Sequence, residues 1–120
     1  MTLSVLLVDD DPTFRWLATQ ILNDIDAEVV ASAGDGAAAM SAAHALHPDC
    51  ALVDVGLPDR DGVALAYELA ALPWRPRVVV TSSDNDAAAA IKASGGGVRL
   101  TFVPKAQLPN APLREMLAGE

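Results

Sequence analysis

Strand-length apolar runs that alternate with stretches of helical periodicity predict an α/β domain, a single doubly wound five-stranded parallel sheet with helices on both faces. Three observations carry this expectation. Five short runs rich in Val, Leu and Ala are separated by segments with helical spacing of apolar residues. The 120 residues suffice for one domain, residues 1–120, and not for two. Runs one, three and four are the most purely apolar, as strands covered on both faces should be, whereas run two contains Glu28 and run five ends at Pro104. The edges therefore fall at two and five, and the expected spatial order is 2-1-3-4-5.

The first run, Val5–Val8, leads into a helix on which Phe14, Leu17, Ala18, Ile21, Leu22 and Ile25 recur at helical spacing. Asp11 is placed to cap its N-terminus, and Pro12 fits its first turn. The second run, Glu28–Ala31, precedes a helix from Gly36 to about Leu46 with Asp35 as its cap. The third run, Ala51–Val55, is followed by the turn Asp61-Gly62 and a helix carrying Leu65, Leu69 and Leu72 on one face. The fourth run, Val78–Val80, precedes a helix over Ala87–Ala93, capped by Asp84 or Asp86 and stopped by Gly95-Gly96-Gly97. The fifth run, Leu100–Val103, is followed by a short last helix over Leu113–Ala118.

Charge narrows the function classes. Eight basic residues against 16 acidic ones leave a net charge of −8. That balance argues against nucleic-acid binding by this chain, because phosphate backbones are gripped by Lys and Arg, and a polybasic membrane patch is missing for the same reason. No stretch approaches the ~20 apolar residues of a membrane span. The opening Thr2-Leu3-Ser4-Val5 reaches acidic residues by Asp9 and does not read as a signal peptide. The lone Cys50 lies in an apolar run and suits a reducing cytoplasm, where the chain is expected to act. Of the acidic residues, 12 are Asp, a residue that favours helix caps and the ends of elements.

In the expected strand order, the switch point lies between strands one and three, and ligands bind there outside the carboxyl ends of the strands. Strand one ends in Asp9-Asp10-Asp11 and strand three in Asp54, so Asp9, Asp10 and Asp54 converge. Carboxylates so placed repel, and either a pKa rises or a cation binds. All-oxygen ligands with no His or Cys nearby suit a hard cation such as Mg²⁺. Strand four ends in Thr81, followed by Ser82 and Ser83, and strand five leads to Lys105, so the same rim offers a hydroxyl and an ammonium.

Val8-Asp9-Asp10-Asp11-Pro12, then Asp54-Val55-Gly56-Leu57-Pro58 with Asp61-Gly62, then Thr81-Ser82 and Phe102-Val103-Pro104-Lys105, together resemble the receiver domain of two-component response regulators, a flavodoxin-like family. The resemblance covers nearly the whole chain. It implies a phosphorylation-activated domain that takes a phosphoryl group from a histidine kinase, or from a small acyl phosphate, in a Mg²⁺-dependent reaction. It assigns Asp54 as phosphoacceptor and also to the Mg²⁺ site, with Asp10 as a direct ligand, Asp9 as a more remote one through water, and the Gly56 backbone carbonyl as a further protein ligand. Thr81 hydrogen-bonds the phosphoryl group, Lys105 pairs with it, and Phe102 falls at the aromatic switch position, altering the surface of helix four, strand five and helix five. The implied partners are a histidine kinase or phosphotransfer protein, and a second copy or a downstream output domain. Two departures stand out. Ala106 follows Lys105 where the family usually has proline, often joined by a cis peptide, and Thr101 precedes Phe102 where glycine is frequent. A cis bond before a non-proline residue costs about 3 kcal/mol, which leaves the geometry of that turn open.

Each assigned role has a chemical reason. A carboxylate attacks phosphorus to give an acyl phosphate. The charge that develops on three equatorial oxygens is met by a cation, the Lys105 ammonium and the Thr81 hydroxyl. On this reading the chain is no enzyme towards outside substrates and only catalyses its own phosphorylation and dephosphorylation. The competing readings are a receiver-like adaptor without phosphate turnover, against which the acceptor and acidic pair are retained, and an aspartate-nucleophile phosphatase. The latter usually carries Asp-x-Asp-x-Thr after strand one, a pattern that Asp9-Asp10-Asp11-Pro12 breaks. Elsewhere, Asp11 reads as a plain cap, His44 and His47 as solvated, Cys50 as inert, Trp16 and Trp74 as half-buried packing, and Asp59-Arg60-Asp61 as a solvated turn.

Overall fold

The computed structural model describes residues 2–82, 100–110 and 112–118. Its elements run β1 (Leu3–Val8), α1 (Pro12–Asn23), β2 (Ala27–Ala33), α2 (Gly36–Leu46), β3 (Cys50–Asp54), α3 (Gly62–Ala70), β4 (Arg77–Ser82), β5 (Thr101–Pro104), a 3₁₀ turn (Lys105–Asn110) and a C-terminal helix (Leu113–Ala118). The five strands form one sheet in the order β2-β1-β3-β4-β5, with parallel pairing throughout. This is the expected architecture. The helix expected over 87–93 and the glycine run at 95–97 lie outside the described residues.

Each central strand is apolar for the expected reason. Val5 to Val8, Ala51 to Val53 and Val78 to Val80 are all buried, and their alternating side chains feed two cores. On one face Leu6, Val8, Ala51, Val53, Val78 and Val80 pack against Ala39 and Ala43 of α2 and Leu65, Ala66 and Leu69 of α3. On the other, Val5, Leu7, Leu52 and Val79 pack against Ala18 and Leu22 of α1 and Leu113 and Leu117 of the C-terminal helix. Fully burying a Val or Leu is worth about 1.5–3 kcal/mol over leaving it exposed, so β1, β3 and β4 supply the rigidity on which the strand ends rest. At the opposite end of the sheet, the Ser4 N–H donates to Asp49 Oδ2 at 2.9 Å and the Asp49 N–H to Ser4 Oγ at 2.8 Å, pinning the starts of β1 and β3 together.

The edges behave as edges. In β2, Glu28, Val30 and Ser32 point to solvent while Ala27 and Ala33 are buried. It extends beyond the apolar run because Ala27, Ser32 and Ala33 also pair with β1, and it carries a bulge: Val5 pairs with Val29 and Leu6 with Ala31, leaving Val30 without a partner. On the other side β5 extends through Pro104, which faces Ser82. That proline cannot donate to a ladder, which an edge position tolerates.

The aspartates do cap the helices. Asp11 accepts from the Thr13 N–H at 2.9 Å, Asp35 from the Ala38 N–H at 2.7 Å and Asp61 from the Val63 N–H at 3.0 Å. Asp26, His47 and Arg75 each take a left-handed backbone conformation where the chain turns back toward β2, β3 and β4. No peptide bond among the described residues is cis, so the Lys105–Ala106 bond is trans and a 3₁₀ turn begins there.

The helix α1 departs from expectation. Leu17, expected on the buried stripe, is 45% exposed, and Trp16, expected to be half-buried, is 65% exposed. At about 100° per residue, Phe14, Ala18, Ile21 and Leu22 cluster on one side, Leu17 sits at the margin and Trp16 on the far face, while Ile25 lies past the helix end. Trp74, by contrast, is partly buried: its indole N–H donates to the Pro48 carbonyl at 3.1 Å, and the exposed His47 ring stacks on it at 3.9 Å. Cys50 is fully buried, and burial together with the charge of Asp49 pushes its thiol up to about 12, which makes it inert.

Gly62 joins this scaffold to the site. A Cβ there would overlap the Asp54 carbonyl oxygen and fall 2.5 Å from the Val55 Cα, so backbone lies where a side chain would begin. Gly62→Ala is therefore expected to destabilise the domain by about 1–3 kcal/mol, read as a lower urea midpoint. An unchanged midpoint would show that α3 can retreat from β3 without cost.

Candidate functional site

The carboxyl ends of β1, β3 and β4 and the residue after β5 meet at one rim. Asp9 follows directly after β1, its N–H donating to the Ala33 carbonyl of β2 at 3.0 Å, and its side chain is buried. Asp54, the last residue of β3, is 6% exposed. In the register its partner on β4 is Thr81. Asp10 stands exposed at the mouth. Carboxylate oxygens of Asp9, Asp10 and Asp54 lie within 4.8 Å of one another. All three residues expected from the sequence to form the acidic cluster are thus brought together. Gly56 is beside them: a Cβ built on it would lie 3.5 Å from Asp54 Oδ2.

Lys105 supplies the counter-charge. Its Nζ lies 2.7 Å from Asp9 Oδ2 and 3.6 Å from Asp54 Oδ1. Burial works against its charge, but the hydrogen bond to Asp9 and the field of Asp54 outweigh that and hold the ammonium above its ordinary value. Beneath it, the Phe14 ring centroid is 4.2 Å from Nζ, a cation–π contact that fixes the ammonium from α1. For Asp54 the balance runs the other way. Burial first, then the charge of Asp9, raise its carboxyl above 3.8, and Lys105 only partly offsets them. The Asp54 carboxylate is therefore the least comfortable member of the group.

Thr81 completes the rim. Its Oγ1 is buried and has no hydrogen-bond partner. A buried unsatisfied hydroxyl costs about 1–3 kcal/mol, and here it sits beside the end of β3, where a new acceptor would arrive. Ser82, next along β4, is small and buried. Phe102 faces Val80 across the β4–β5 ladder and packs, partly buried, on the α2/α3 face of the core. Phe102 and Thr81 are on adjacent strands but are not register partners, since Thr81 pairs with Val103.

Three supporting residues escaped the sequence reading in this role. Phe14 was legible only as part of the α1 stripe. Arg15 donates from Nη1 to the Asp9 carbonyl at 2.5 Å and so ties α1 to the end of β1. Asp59 is exposed, as expected of a solvated turn, and in addition accepts hydrogen bonds from the start of α2. Phe14 and Arg15 lie five and six residues beyond Asp9, one helical turn into α1, and that offset is the signal that could have marked them.

A doubly wound sheet with an acidic triad, a lysine and a free hydroxyl at its switch point defines a receiver, and the chain belongs to the response regulator receiver domain family, whose model matches residues 5–116. Among its relatives, protein-glutamate methylesterase/protein-glutamine glutaminase 3 of Anaeromyxobacter dehalogenans is 39% identical over 110 residues, covering 90% of this chain and 32% of the relative. The transcriptional regulatory protein PdtaR of Mycobacterium tuberculosis is 31% identical, covering 97% of this chain and 60% of the relative. The chain thus spans between 32% and 60% of the length of these two relatives. Of solved structures, the response regulator domain of Thermotoga maritima CheB matches with a TM-score of 0.80 and 25% identity, over 100% of this chain and 98% of that one. A LuxR-family two-component response regulator from Aurantimonas sp. SI85-9A1 matches with a TM-score of 0.82 and 26% identity, over 100% and 88% of the respective chains. No helix among the described residues is long and apolar enough to cross a membrane. Receiver domains bind Mg²⁺ at an acidic pocket, and the donor set here, carboxylate oxygens alone, fits that hard cation.

The raised Asp54 carboxyl has a consequence for stability. The folded domain holds that proton more tightly than the unfolded chain, so stability is fully present below 3.8 and is lost as pH rises through the raised value. Asp54→Asn removes that cost. Without divalent metal, the variant should melt above the wild type at neutral pH, ~1 kcal/mol corresponding to roughly 4 °C in a domain of this size. The advantage should vanish in acid, and a variant less stable than wild type at neutral pH would contradict the assignment.

Proposed function

We propose that this domain is a phosphorylation-controlled switch in which Asp54 accepts a phosphoryl group in a Mg²⁺-dependent reaction. The observation that carries this reading is the pairing, in register, of a buried destabilised carboxylate on β3 with a buried unpartnered hydroxyl on β4, between an acidic pair and an ammonium. The hydroxyl and the ammonium are donors that suit an incoming oxyanion, and the acidic pair suits a cation.

An Asp54 oxygen forms a bond to phosphorus as the bond from phosphorus to the donor nitrogen of a phosphohistidine breaks, and that nitrogen keeps the electron pair. Asp10, exposed at the mouth, would hold the cation directly, Asp9 through water, and the Gly56 carbonyl would add a backbone ligand. A cation held by these residues would neutralise charge on the phosphoryl oxygens. Lys105 shifts its weight from Asp9 toward the phosphoryl group, and Thr81 donates the hydrogen bond that its Oγ1 lacks in the resting state. Moving Thr81 toward the acceptor opens space at the end of β4. Phe102, half-buried on the next strand, is the group placed to respond, and its inward turn would carry the change to the β5 surface. The donor partner is a histidine kinase or phosphotransfer protein. The receiving partner is a second copy or an output domain, in keeping with relatives that are longer than this chain and are named as a methylesterase and a transcriptional regulator. The chain is assigned to the cytoplasm, with no turnover of outside substrates.

Incubation with acetyl phosphate and Mg²⁺ should add one phosphoryl group by intact mass, and Asp54→Asn should abolish it. Asp10→Ala should weaken Mg²⁺ binding more than Asp9→Ala does. Thr81→Ala should still be phosphorylated, because the acceptor and metal ligands remain, but its phosphorylation-dependent association should be blunted. Equal labelling of Asp54→Asn would refute the assignment.

A further inference from the structure

The loop of residues 55–61 carries Gly56, the proposed backbone ligand. Its ends are anchored to the sheet and to α3. The Val55 N–H donates to the Thr81 carbonyl at 3.1 Å, the Gly62 N–H to the Val55 carbonyl at 3.1 Å, and Asp61 caps α3. Between these anchors Asp59 reaches sideways to a different helix. Its Oδ1 accepts from the Gly36 N–H at 2.8 Å and its Oδ2 from the Ala37 N–H at 3.2 Å. Asp35 already serves the Ala38 N–H, so two aspartates from separate segments share the open first turn of α2. Those bonds, the Gly36 one foremost, hold the Asp59 carboxyl below its ordinary range.

Gly36 leaves room for Arg60: a Cβ there would overlap Arg60 Cδ and lie 2.7 Å from Arg60 Cγ, so the Arg60 side chain passes directly over the helix end and would have to shift for any larger residue. Arg60 in turn is drawn toward α3 by an ion pair with Glu68 at 2.8 Å. The middle of the loop is thereby held from α2 and α3 at once, three residues from a glycine whose backbone borders the Asp54 carboxylate.

We propose that Asp59 is a positioning residue for the metal site: by binding the first turn of α2, it fixes the loop that sets Gly56 beside Asp54. This rests on the reading of the acidic cluster as a Mg²⁺ site. The role is not that of a charge in the site, since Asp59 is spent on backbone N–H groups and not on the cluster. The conservative variant separates the two. Asparagine keeps an oxygen to accept from Gly36 while losing the charge, and alanine loses both.

The test is a Mg²⁺ titration of the full chain followed by amide NMR shifts, with melting temperatures alongside. Asp59→Ala should weaken Mg²⁺ roughly 3- to 10-fold, less than the ~10–100-fold lost when a group bonded directly to a ligand is removed. Asp59→Asn should stay within about twofold of the wild type in Mg²⁺ affinity. Asp59→Ala strips two capping bonds from α2 and should also melt a few degrees lower, so the titration is run well below that melting temperature, where both variants are folded. Wild-type affinity in Asp59→Ala, or an equal loss in Asp59→Asn, overturns the positioning role while Asp10→Ala still reports a metal site. Wild-type affinity in Asp10→Ala as well overturns the metal reading, and this inference with it.

Discussion

Everything at the rim follows from placing three carboxylates at one end of a sheet and giving them Lys105 as counter-charge. Two unit charges 4.8 Å apart repel by roughly 3 kcal/mol at an effective dielectric of ~20. Asp9 is relieved by the ammonium at 2.7 Å, and Asp54, at 3.6 Å, is relieved less. The domain therefore folds with a local cost at Asp54. On the proposed reading a cation relieves it, and the repulsion that costs stability at rest supplies affinity for that cation. The incoming phosphoryl group, itself anionic, would be met by the cation, Lys105 and Thr81.

The fold exists to hold that arrangement against its own repulsion. Parallel pairing brings the ends of β1, β3 and β4 to the same rim, and the 2-1-3-4-5 order makes β1 and β3 neighbours, with a helix departing to opposite faces from each. The apolar strands behind the site are buried on both faces, so the carboxylates cannot relax by separating. Side support comes from α1, through Phe14 under the lysine and Arg15 on the Asp9 carbonyl, and, on the positioning role proposed for Asp59, from α2 through its bonds to Gly36 and Ala37.

The sheet order was legible because burial writes itself into composition: Glu28 and Pro104 marked the edges, and the valine runs marked the centre. Asp9, Asp10, Asp54, Thr81 and Lys105 were legible because each stands at or just beyond a strand end, where a one-dimensional reading already states the position along the sheet. The bulge at Val30 was not, since it is a mismatch between two strands and shows in neither alone. The exposure of Trp16 was missed because an aromatic residue in a short helix reads as packing until its angle about the axis is compared with its neighbours. Asp59 was missed for a third reason. Its partners lie 22 and 23 residues away on another helix, and no local pattern joins a polar turn to the open end of a distant helix.

The central claim is that Asp54 is held in an unfavourable state of ionisation by burial and by its acidic neighbours, and that divalent metal relieves it. Carbon-detected NMR titration of the Asp54 carboxyl, with and without Mg²⁺, measures this directly. The account predicts titration above the ordinary carboxylate range in metal-free protein and a clear fall when Mg²⁺ is added. An Asp54 that titrates as an ordinary exposed aspartate, indifferent to Mg²⁺, would contradict it.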